Sequence, residues 1–282
     1  MNLPELPALS AALFALLAWW FGTGAILWLV RRPASGFGLR MTLVSVAALA
    51  SLWVAWRSMR DTGMLASYFG FASVIVMWGW HELAFLSGWI TGPRRVPLTP
   101  GARGAARFRE SLEAILHHEM ALLVNFGLLC LLQVGQPNHV ALCTFALLWL
   151  MRLSAKFNLF FGVPQVGEQY LPAHLAYLGS YFRRGPVGLF FWASMAIASG
   201  SWLWIVAQAQ RGAVVVNTGW ILLAALLGLA IIEHLLMMLP VPLQRLWGWA
   251  MGSPHESSVV VAAVAVVPPV VPLAPAPTEA GR

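Results

Sequence analysis

Residues 78–95, WGWHELAFLSGWITGPRR, place a histidine and a carboxylate inside an apolar run and end that run with Gly-Pro and two arginines. An ionised side chain near the centre of a membrane helix costs at least ~2.5–3.5 kcal/mol. We therefore expect His81 and Glu82 to be neutralised, paired or ligated by groups on another helix. The stretch predicts a membrane helix whose stability depends on polar partners elsewhere in the chain.

The composition indicates an integral membrane protein surrounded by lipid. Of the 282 residues, 60% are hydrophobic and 10% are charged, whereas soluble domains carry about 25% charged residues. The formal net charge is +7, and in this class a basic excess reflects topology, so no nucleic-acid partner is expected. Cys130 and Cys143 lie in apolar runs without CxxC spacing and predict neither a disulfide framework nor a thiolate metal site.

Seven apolar runs are long enough, or nearly so, to cross about 30 Å of hydrocarbon. They cover residues 9–30, 41–56, 64–91, 111–134, 140–161, 187–210 and 218–239. If the N-terminus is outside, 14 of the 17 basic residues fall on the cytoplasmic side, and Arg57, Arg60 and Arg211 fall on the other. The positive-inside rule thus predicts an all-α polytopic bundle of about seven transmembrane helices, N-terminus outside and C-terminus cytoplasmic.

The loop at residues 162–186 is predicted to be more than a linker. It contains Tyr170, Tyr177 and Tyr181 beside two arginines, and Pro172 is placed to start a short helix that runs through residue 182. Amphipathic rings next to basic residues are typical of a helix lying on the cytoplasmic membrane surface. The alternative is a surface that docks a partner protein.

Three shorter features complete the domain prediction. Gly88 and Gly92 form a GxxxG pattern at the end of the third run, which permits close helix approach. The basic loop 92–110 acts as a topology determinant or contacts anionic lipid headgroups. Residues 1–251 are predicted to form the bundle, and the Val/Ala/Pro-rich residues 252–282 a disordered tail.

Histidines and acidic residues cluster in the predicted helices. At 1.5 Å per residue those in the third helix lie roughly 14 Å from the cytoplasmic end, those in the fourth about 10 Å and those in the seventh about 8 Å. They therefore form one layer in the cytoplasmic half of the bundle. The chain has 7 histidines and 10 acidic residues. Eight of these residues belong to the layer: His81, Glu82, Glu113, His117, His118, Glu119, Glu233 and His234.

Three interpretations of this layer stay open. In the first, the histidines and carboxylates pair across helices with one another and with Arg152 or Lys156 on the fifth helix, where Asn158 also lies. In the second, the eight residues are ligands of an iron or zinc centre, as in helix bundles with mixed His and Glu ligands, although Glu113 and His117 depart from ExxH spacing. In the third, one or two histidines ligate the metal of haem or bacteriochlorophyll.

Four stretches carry a family resemblance. Residues 78–95, residues 113–122 (EAILHHEMAL), residues 148–178 and residues 231–242 (IIEHLLMMLPVP) resemble the PuhE-type photosynthetic-complex assembly proteins of purple bacteria, which are associated with the gene for the reaction-centre H subunit. The resemblance spans about residues 64–250. It departs at Gln165, where asparagine is expected after Gly-Val-Pro.

The resemblance implies a role in assembling the reaction centre and light-harvesting complex, or in coupling it to bacteriochlorophyll supply. The implied setting is the photosynthetic inner membrane, with reaction-centre or light-harvesting subunits as partners. The family brings no catalytic residue to this chain, so enzymatic activity stays open. The alternative function is a membrane metalloenzyme that uses the His/Glu layer to act on a hydrophobic or tetrapyrrole substrate.

Overall fold

Seven long helices make up the chain in the computed structural model, which describes residues 5–33, 35–168, 171–211, 214–239 and 248–251. They are α1 (Glu5–Val30), α2 (Phe37–Ser58), α3 (Met64–Leu86), α4 (Gly104–Gln133), α5 (Val140–Phe161), α6 (Leu189–Gln210) and α7 (Val214–Leu236). A 3₁₀ helix (Ala173–Tyr181) precedes α6, and one turn, α8 (Gly248–Met251), follows α7. Each of the seven is long and apolar enough to cross a membrane, which confirms the predicted all-α bundle of seven membrane helices; the orientation of its termini stays a prediction. The predicted tail, residues 252–282, lies outside the described residues.

Helix α3 is the axis of the bundle. It packs against α1, α2, α4, α5 and α7, and its buried face includes Ala66, Gly70, Ser73 and Met77 at helical spacing. Small residues let helix backbones approach closely inside a membrane, where no hydrophobic force drives helices together. By contrast α2 lies at the periphery and turns large apolar side chains such as Leu43 and Leu49 outward.

The end of α3 differs from the sequence prediction. The helix stops at Leu86, not at residue 91, because Gly88 adopts a left-handed φ of 76° that turns the chain away from the helix axis. Gly88 and Gly92 therefore do not form a GxxxG face on a helix. Hydropathy alone could not locate this stop, because the residues that follow it are still largely apolar.

Gly92 instead brings a loop against a helix. A Cβ at this position would clash with the Glu113 carbonyl oxygen and lie 2.5 Å from the Ala114 carbonyl carbon, both in the backbone of α4. Next to it the His118 N–H donates to the Thr91 carbonyl at 2.9 Å. The loop after α3 is thus inserted against the middle of α4.

One side of the bundle carries the loops 31–36, 87–103 and 162–188, and we call it the basic side. Helix α4 starts at Gly104, seven residues before the predicted apolar run, so its arginine-rich first turns belong to this side. Arg94 ties the loops together there: its Nε donates to the Tyr181 hydroxyl at 2.9 Å, and its Nη2 lies 2.8 Å from Glu110 Oε2. The predicted basic loop 92–110 is accordingly ordered, and its residues 104–110 belong to α4.

The same network fixes the protonation of Tyr181. Burial raises the pKa of this phenol above its ordinary value, and the neighbouring Arg94 only partly opposes the shift. The hydroxyl therefore stays protonated near neutral pH and donates to the Val96 carbonyl at 2.8 Å. The loop and the 3₁₀ helix remain linked across the neutral range.

The 3₁₀ helix sits where the sequence predicted a short helix. It begins directly after Pro172 and is followed by an extended residue 182. Leu175, Leu178 and Tyr181 are buried against α3 and α4; their spacing of three matches the three residues per turn of a 3₁₀ helix. The segment is fastened to the bundle, while its position at a membrane surface stays a prediction.

We predict that Gly92→Ala destabilises the bundle by ~3 kcal/mol, because the added methyl group meets backbone atoms that cannot move aside. Gly127→Ala in α4, the helix that Gly92 contacts, is the control, since nothing lies within 4 Å of that position. Unfolding by SDS titration in detergent micelles measures both variants. Equal stability of the two would contradict the close packing of the loop on α4.

Candidate functional site

Charged side chains from four helices lie close together, two carboxylates inside the bundle and one at its edge, and we call them the polar layer: Glu82 of α3, Glu119 of α4, Arg152 and Lys156 of α5, and Glu233 of α7. Arg152 Nη2 lies 2.7 Å from Glu82 Oε2. The Lys156 ammonium group contacts the Glu119 carboxylate, which also accepts a hydrogen bond of 3.1 Å from Trp149 Nε1. These ion pairs are of the kind that the first interpretation of the sequence predicts.

The spacing on α5 explains how two pairs form side by side. Arg152 and Lys156 are four residues apart, so they project from one face of the helix at successive turns. Glu82 and Glu119 reach that face from α3 and α4, and both carboxylates are well shielded, with side chains 8% and 13% exposed. In such surroundings an unpaired charge is far costlier than an ion pair. Helix α5 thus holds α3 and α4 together electrostatically.

Glu233 brings α7 and α1 into the same layer. It is close enough to Arg152 and Glu82 to interact with both electrostatically, and it forms a side-chain hydrogen bond with Trp19 of α1. The Arg152 side chain is 44% exposed, and Glu233 is exposed on the bundle surface. The Arg152 guanidinium group therefore pairs directly with Glu82 inside the bundle, and it acts on Glu233 at the bundle edge only through space.

His81 is buried and only partly satisfied. The Asn125 side-chain amide lies 2.9 Å from His81 Nε2; because an amide nitrogen only donates, Nε2 accepts and the ring proton resides on Nδ1. Among the described residues neither His81 Nδ1 nor Glu82 Oε1 has a hydrogen-bond partner. Two adjacent residues of α3 thus each keep one buried polar atom available.

Two further histidines are buried in the part of the chain that the structure describes, and their surroundings differ. His234 Nδ1 lies 2.9 Å from the Ala230 carbonyl and donates to it, so Nε2 accepts from the Ser154 hydroxyl at 3.0 Å. The ring of His118, 1% exposed, packs on Phe85 with 4.6 Å between ring centroids. Both rings occupy well-packed positions beside the polar layer.

Two of the eight predicted residues lie apart from the layer. Glu113 pairs with Arg109, four residues earlier on α4, at 3.6 Å, with the Arg109 side chain exposed and the Glu113 side chain half-exposed. His117 is exposed on the outer face of α4. The structure therefore brings together Glu82, Glu119 and Glu233, places three histidines beside them, and leaves Glu113 and His117 outside.

Several polar partners escaped the sequence prediction: Asn125, Trp149, Ser154 and Trp19. The helical periodicity of α4 could have identified Asn125. The inward face of α4 is marked by the buried residues Ala114, His118, Leu122 and Leu129, and Asn125 follows His118 by seven residues, or two turns. The remaining partners are common residues in apolar helices and carry no distinguishing pattern.

The geometry bears on metal binding in two ways. Among the described residues, no three or more His, Cys, Asp and Glu side chains are grouped so that they could hold a metal ion. A divalent ion at Glu82 or Glu119 would also have to displace the cation of Arg152 or Lys156. The iron or zinc site at the eight residues, and the haem or bacteriochlorophyll alternative, stay predictions.

The Glu119–Lys156 pair gives a direct stability prediction. Glu119→Gln strands the Lys156 ammonium group inside the bundle and should lower the free energy of unfolding by ~3 kcal/mol. Adding Lys156→Met removes the stranded charge and should recover most of that loss. The half-exposed Glu113→Gln is the control and should change stability by less than ~0.5 kcal/mol. SDS titration measures all three; similar losses for Glu119→Gln and Glu113→Gln would refute the pairing.

Comparison with known proteins supplies the family. The chain is 39% identical over 269 residues to the "Uncharacterized 30.4 kDa protein in puhA 5'region" of Rhodobacter capsulatus, which covers 93% of this chain and 96% of that protein. No solved structure matches it. The family model described as "Protein of unknown function (DUF3623)" matches residues 6–258, from α1 through α8. With nearly its whole length matched, the chain belongs to the DUF3623 family.

Proposed function

We propose that this protein is an integral membrane factor for assembly of the photosynthetic reaction centre and light-harvesting complex. The observation that carries the proposal is the near full-length similarity to a protein named for its position in the 5′ region of puhA. The resemblance of residues 78–95 and three further stretches to photosynthetic-complex assembly proteins points to the same setting. The two lines agree on a photosynthetic gene neighbourhood.

The geometry supports a scaffold that acts by contact. The ion pairs of the polar layer link α3, α4 and α5, and Arg94 with Tyr181 fastens the loops of the basic side. A protein that positions other subunits requires a surface that keeps its shape. The 3₁₀ helix offers one, because its buried residues anchor it while Ala173, Ala176 and Ser180 face outward.

The finer parts of the proposal follow from that role. The partners are reaction-centre or light-harvesting subunits that meet segment 162–186 within or beside the inner, intracytoplasmic photosynthetic membrane. The factor also couples their assembly to bacteriochlorophyll supply. Orientation follows the distribution of arginines, which favours a cytoplasmic location for the basic side.

A metalloenzyme is the second candidate, and one observation favours it. His81 Nδ1 and Glu82 Oε1 are buried and lack partners among the described residues, and buried polar atoms rarely stay unpaired. Ligation by His81 Nδ1 would require the other tautomer, with the ring proton on Nε2 and the Asn125 amide turned so that its oxygen accepts that proton. A metal ion held there would activate oxygen or water toward a hydrophobic or tetrapyrrole substrate. Iron and zinc analysis of the protein purified in mild detergent separates the two candidates: stoichiometric metal that Glu82→Gln abolishes would favour the enzyme.

Deletion of the gene in its photosynthetic host tests the assembly role. We expect lower near-infrared absorbance of reaction-centre and light-harvesting pigments in membranes, with normal levels restored by the wild-type gene. Complementation with Ala176→Glu should restore less, because a carboxylate on the outer face of the 3₁₀ helix disturbs the contact surface.

Thr62→Glu is the matched control for that experiment. It adds the same charge at an exposed position on the opposite side of the bundle, so it should complement fully. Immunoblotting verifies equal amounts of each variant. Normal complexes in the deletion strain would overturn the assembly role, whereas full complementation by Ala176→Glu would overturn only the assigned contact surface.

A further inference from the structure

Four arginines line one cavity that opens to the surface on the basic side, between the start of α4 and the chain that follows the 3₁₀ helix. The cavity has a volume of about 560 Å³ and is lined by Arg103, Gly104, Arg107, Phe182, Arg183 and Arg184. None of these six is acidic. The carboxylate of Glu168 lies 3.7 Å from Arg184 Nε, and both of those side chains are exposed. The cavity therefore concentrates positive charge well beyond what its neighbour neutralises.

Arg107 is a fixed wall of this cavity. Its Nη1 donates to the Phe160 carbonyl at 2.9 Å and its Nη2 to the Tyr181 carbonyl at 2.8 Å. The guanidinium carbon also lies 4.1 Å from the centre of the Phe160 ring. Backbone carbonyls and an aromatic face hold this cation without cancelling its charge. Its position is set before any ligand arrives, which favours binding.

The backbone also fixes the origins of Arg183 and Arg184. The Arg183 N–H donates to the Leu159 carbonyl at 2.9 Å, and the Val163 N–H donates to the Arg183 carbonyl at 3.1 Å. Arg184 forms an isolated parallel bridge with Val163. Both side chains are exposed, so they project from a backbone anchored at the end of α5. Their exposed guanidinium groups can turn toward a bound anion, in the case of Arg184 by leaving its 3.7 Å contact with Glu168.

The start of α4 adds to the positive potential. Arg103 is the N-cap residue, and the first turn of the helix contains no acidic residue. Unpaired N–H groups at a helix N-terminus carry partial positive charge and favour phosphate. Gly104, the first residue of the helix, lines the cavity. Helix end and arginines thus act on the same space.

An apolar strip adjoins the arginines. Phe108 of α4 packs edge-to-face on Phe160 of α5 with 5.8 Å between ring centroids. Phe108, Leu112 and Phe161 expose apolar surface on the same two helices. A ligand with an anionic head at the arginines would find an apolar surface for its tail along α4 and α5.

From this arrangement we infer that the cavity is a binding site for a phosphate-bearing anion, with the headgroup of an anionic phospholipid as the source that the apolar strip favours. Planar guanidinium groups form paired hydrogen bonds with phosphate oxygens. Basic pockets beside membrane helices bind anionic headgroups in the same manner. A soluble phosphate compound shares the head chemistry and is the other source to be distinguished.

Lipid titration followed by native mass spectrometry tests the site on the full-length protein in neutral detergent. We expect phosphatidylglycerol to bind more tightly than phosphatidylcholine. The double variant Arg103→Gln/Arg184→Gln should weaken phosphatidylglycerol binding roughly twenty-five-fold, since each arginine contributes about fivefold. Arg107 is left intact because its side chain also holds backbone carbonyls in place.

The double variant Arg95→Gln/Arg109→Gln is the matched control: it removes two exposed arginines of the basic side that do not line the cavity. It should bind phosphatidylglycerol as the wild type does. Competition with inorganic phosphate separates the sources. If inorganic phosphate binds the wild-type protein in the absence of lipid and also displaces the lipid, the ligand is a soluble phosphate compound. If inorganic phosphate does neither, the ligand is the phospholipid, held by its headgroup and its tail.

Two outcomes would overturn the site. Equal weakening in the cavity and control variants would mean that only general surface charge attracts the lipid. Absence of binding by both phosphatidylglycerol and inorganic phosphate would remove the phosphate assignment, and with it the site. SDS unfolding curves equal to that of the wild type are required of both double variants, so that loss of folding is not mistaken for loss of binding.

Discussion

Neutralisation of carboxylates by the two cations of α5 is the interaction on which the bundle depends. Arg152 and Lys156 stand one turn apart and meet Glu82 of α3 and Glu119 of α4. Without these cations, two carboxylates would face an apolar interior unpaired. The association of the helices that bear them would then be destabilised. Glu233 extends the layer to α7 and α1 through Arg152 and Trp19. Four of the described helices thus contribute charged groups to one cluster, and α1 joins it through a hydrogen bond.

The basic side is organised by a second constraint, close backbone approach. Gly92 lets the loop after α3 press against α4, and the Thr91 carbonyl accepts a hydrogen bond from the middle of that helix. The loop in turn supports the 3₁₀ helix through Arg94 and Tyr181. The polar layer and the ordered surface are therefore adjacent and joined through the same helices. A rigid arrangement of this kind suits a protein that presents a fixed face to partners and lipids.

The sequence predicted the seven spans and the membership of the polar layer because both follow from coarse physical quantities, hydropathy over about twenty residues and the rarity of charge in membranes. It did not predict where α3 ends, because that depends on the left-handed backbone of Gly88, which hydropathy does not register. The role of Gly92 was misassigned for a related reason: a glycine pattern reports that something approaches closely, but not whether helix or loop does.

Partner identity was predictable only in part. Arg152 and Lys156 were the available cations, yet which carboxylate each would meet depends on helix rotation, which only the packed bundle determines. Asn125 could have been predicted from the helical periodicity of α4. The roles of Ser154 and Trp149 depend only on neighbours that are distant in sequence. The eight residues of the predicted metal layer divide accordingly: six lie in or beside the layer and two, Glu113 and His117, face away from it.

Infrared spectroscopy of the protein labelled with ¹³C-glutamate tests the ion-paired layer most directly. Difference spectra of the wild type against Glu119→Gln and against Glu82→Gln report the protonation state of each lost carboxyl group at neutral pH. The account predicts that each substitution removes an ionised carboxylate band, because each group faces a cation. Removal of a protonated carbonyl band instead would mean that the carboxyls are neutral and that α5 does not hold the bundle together by charge.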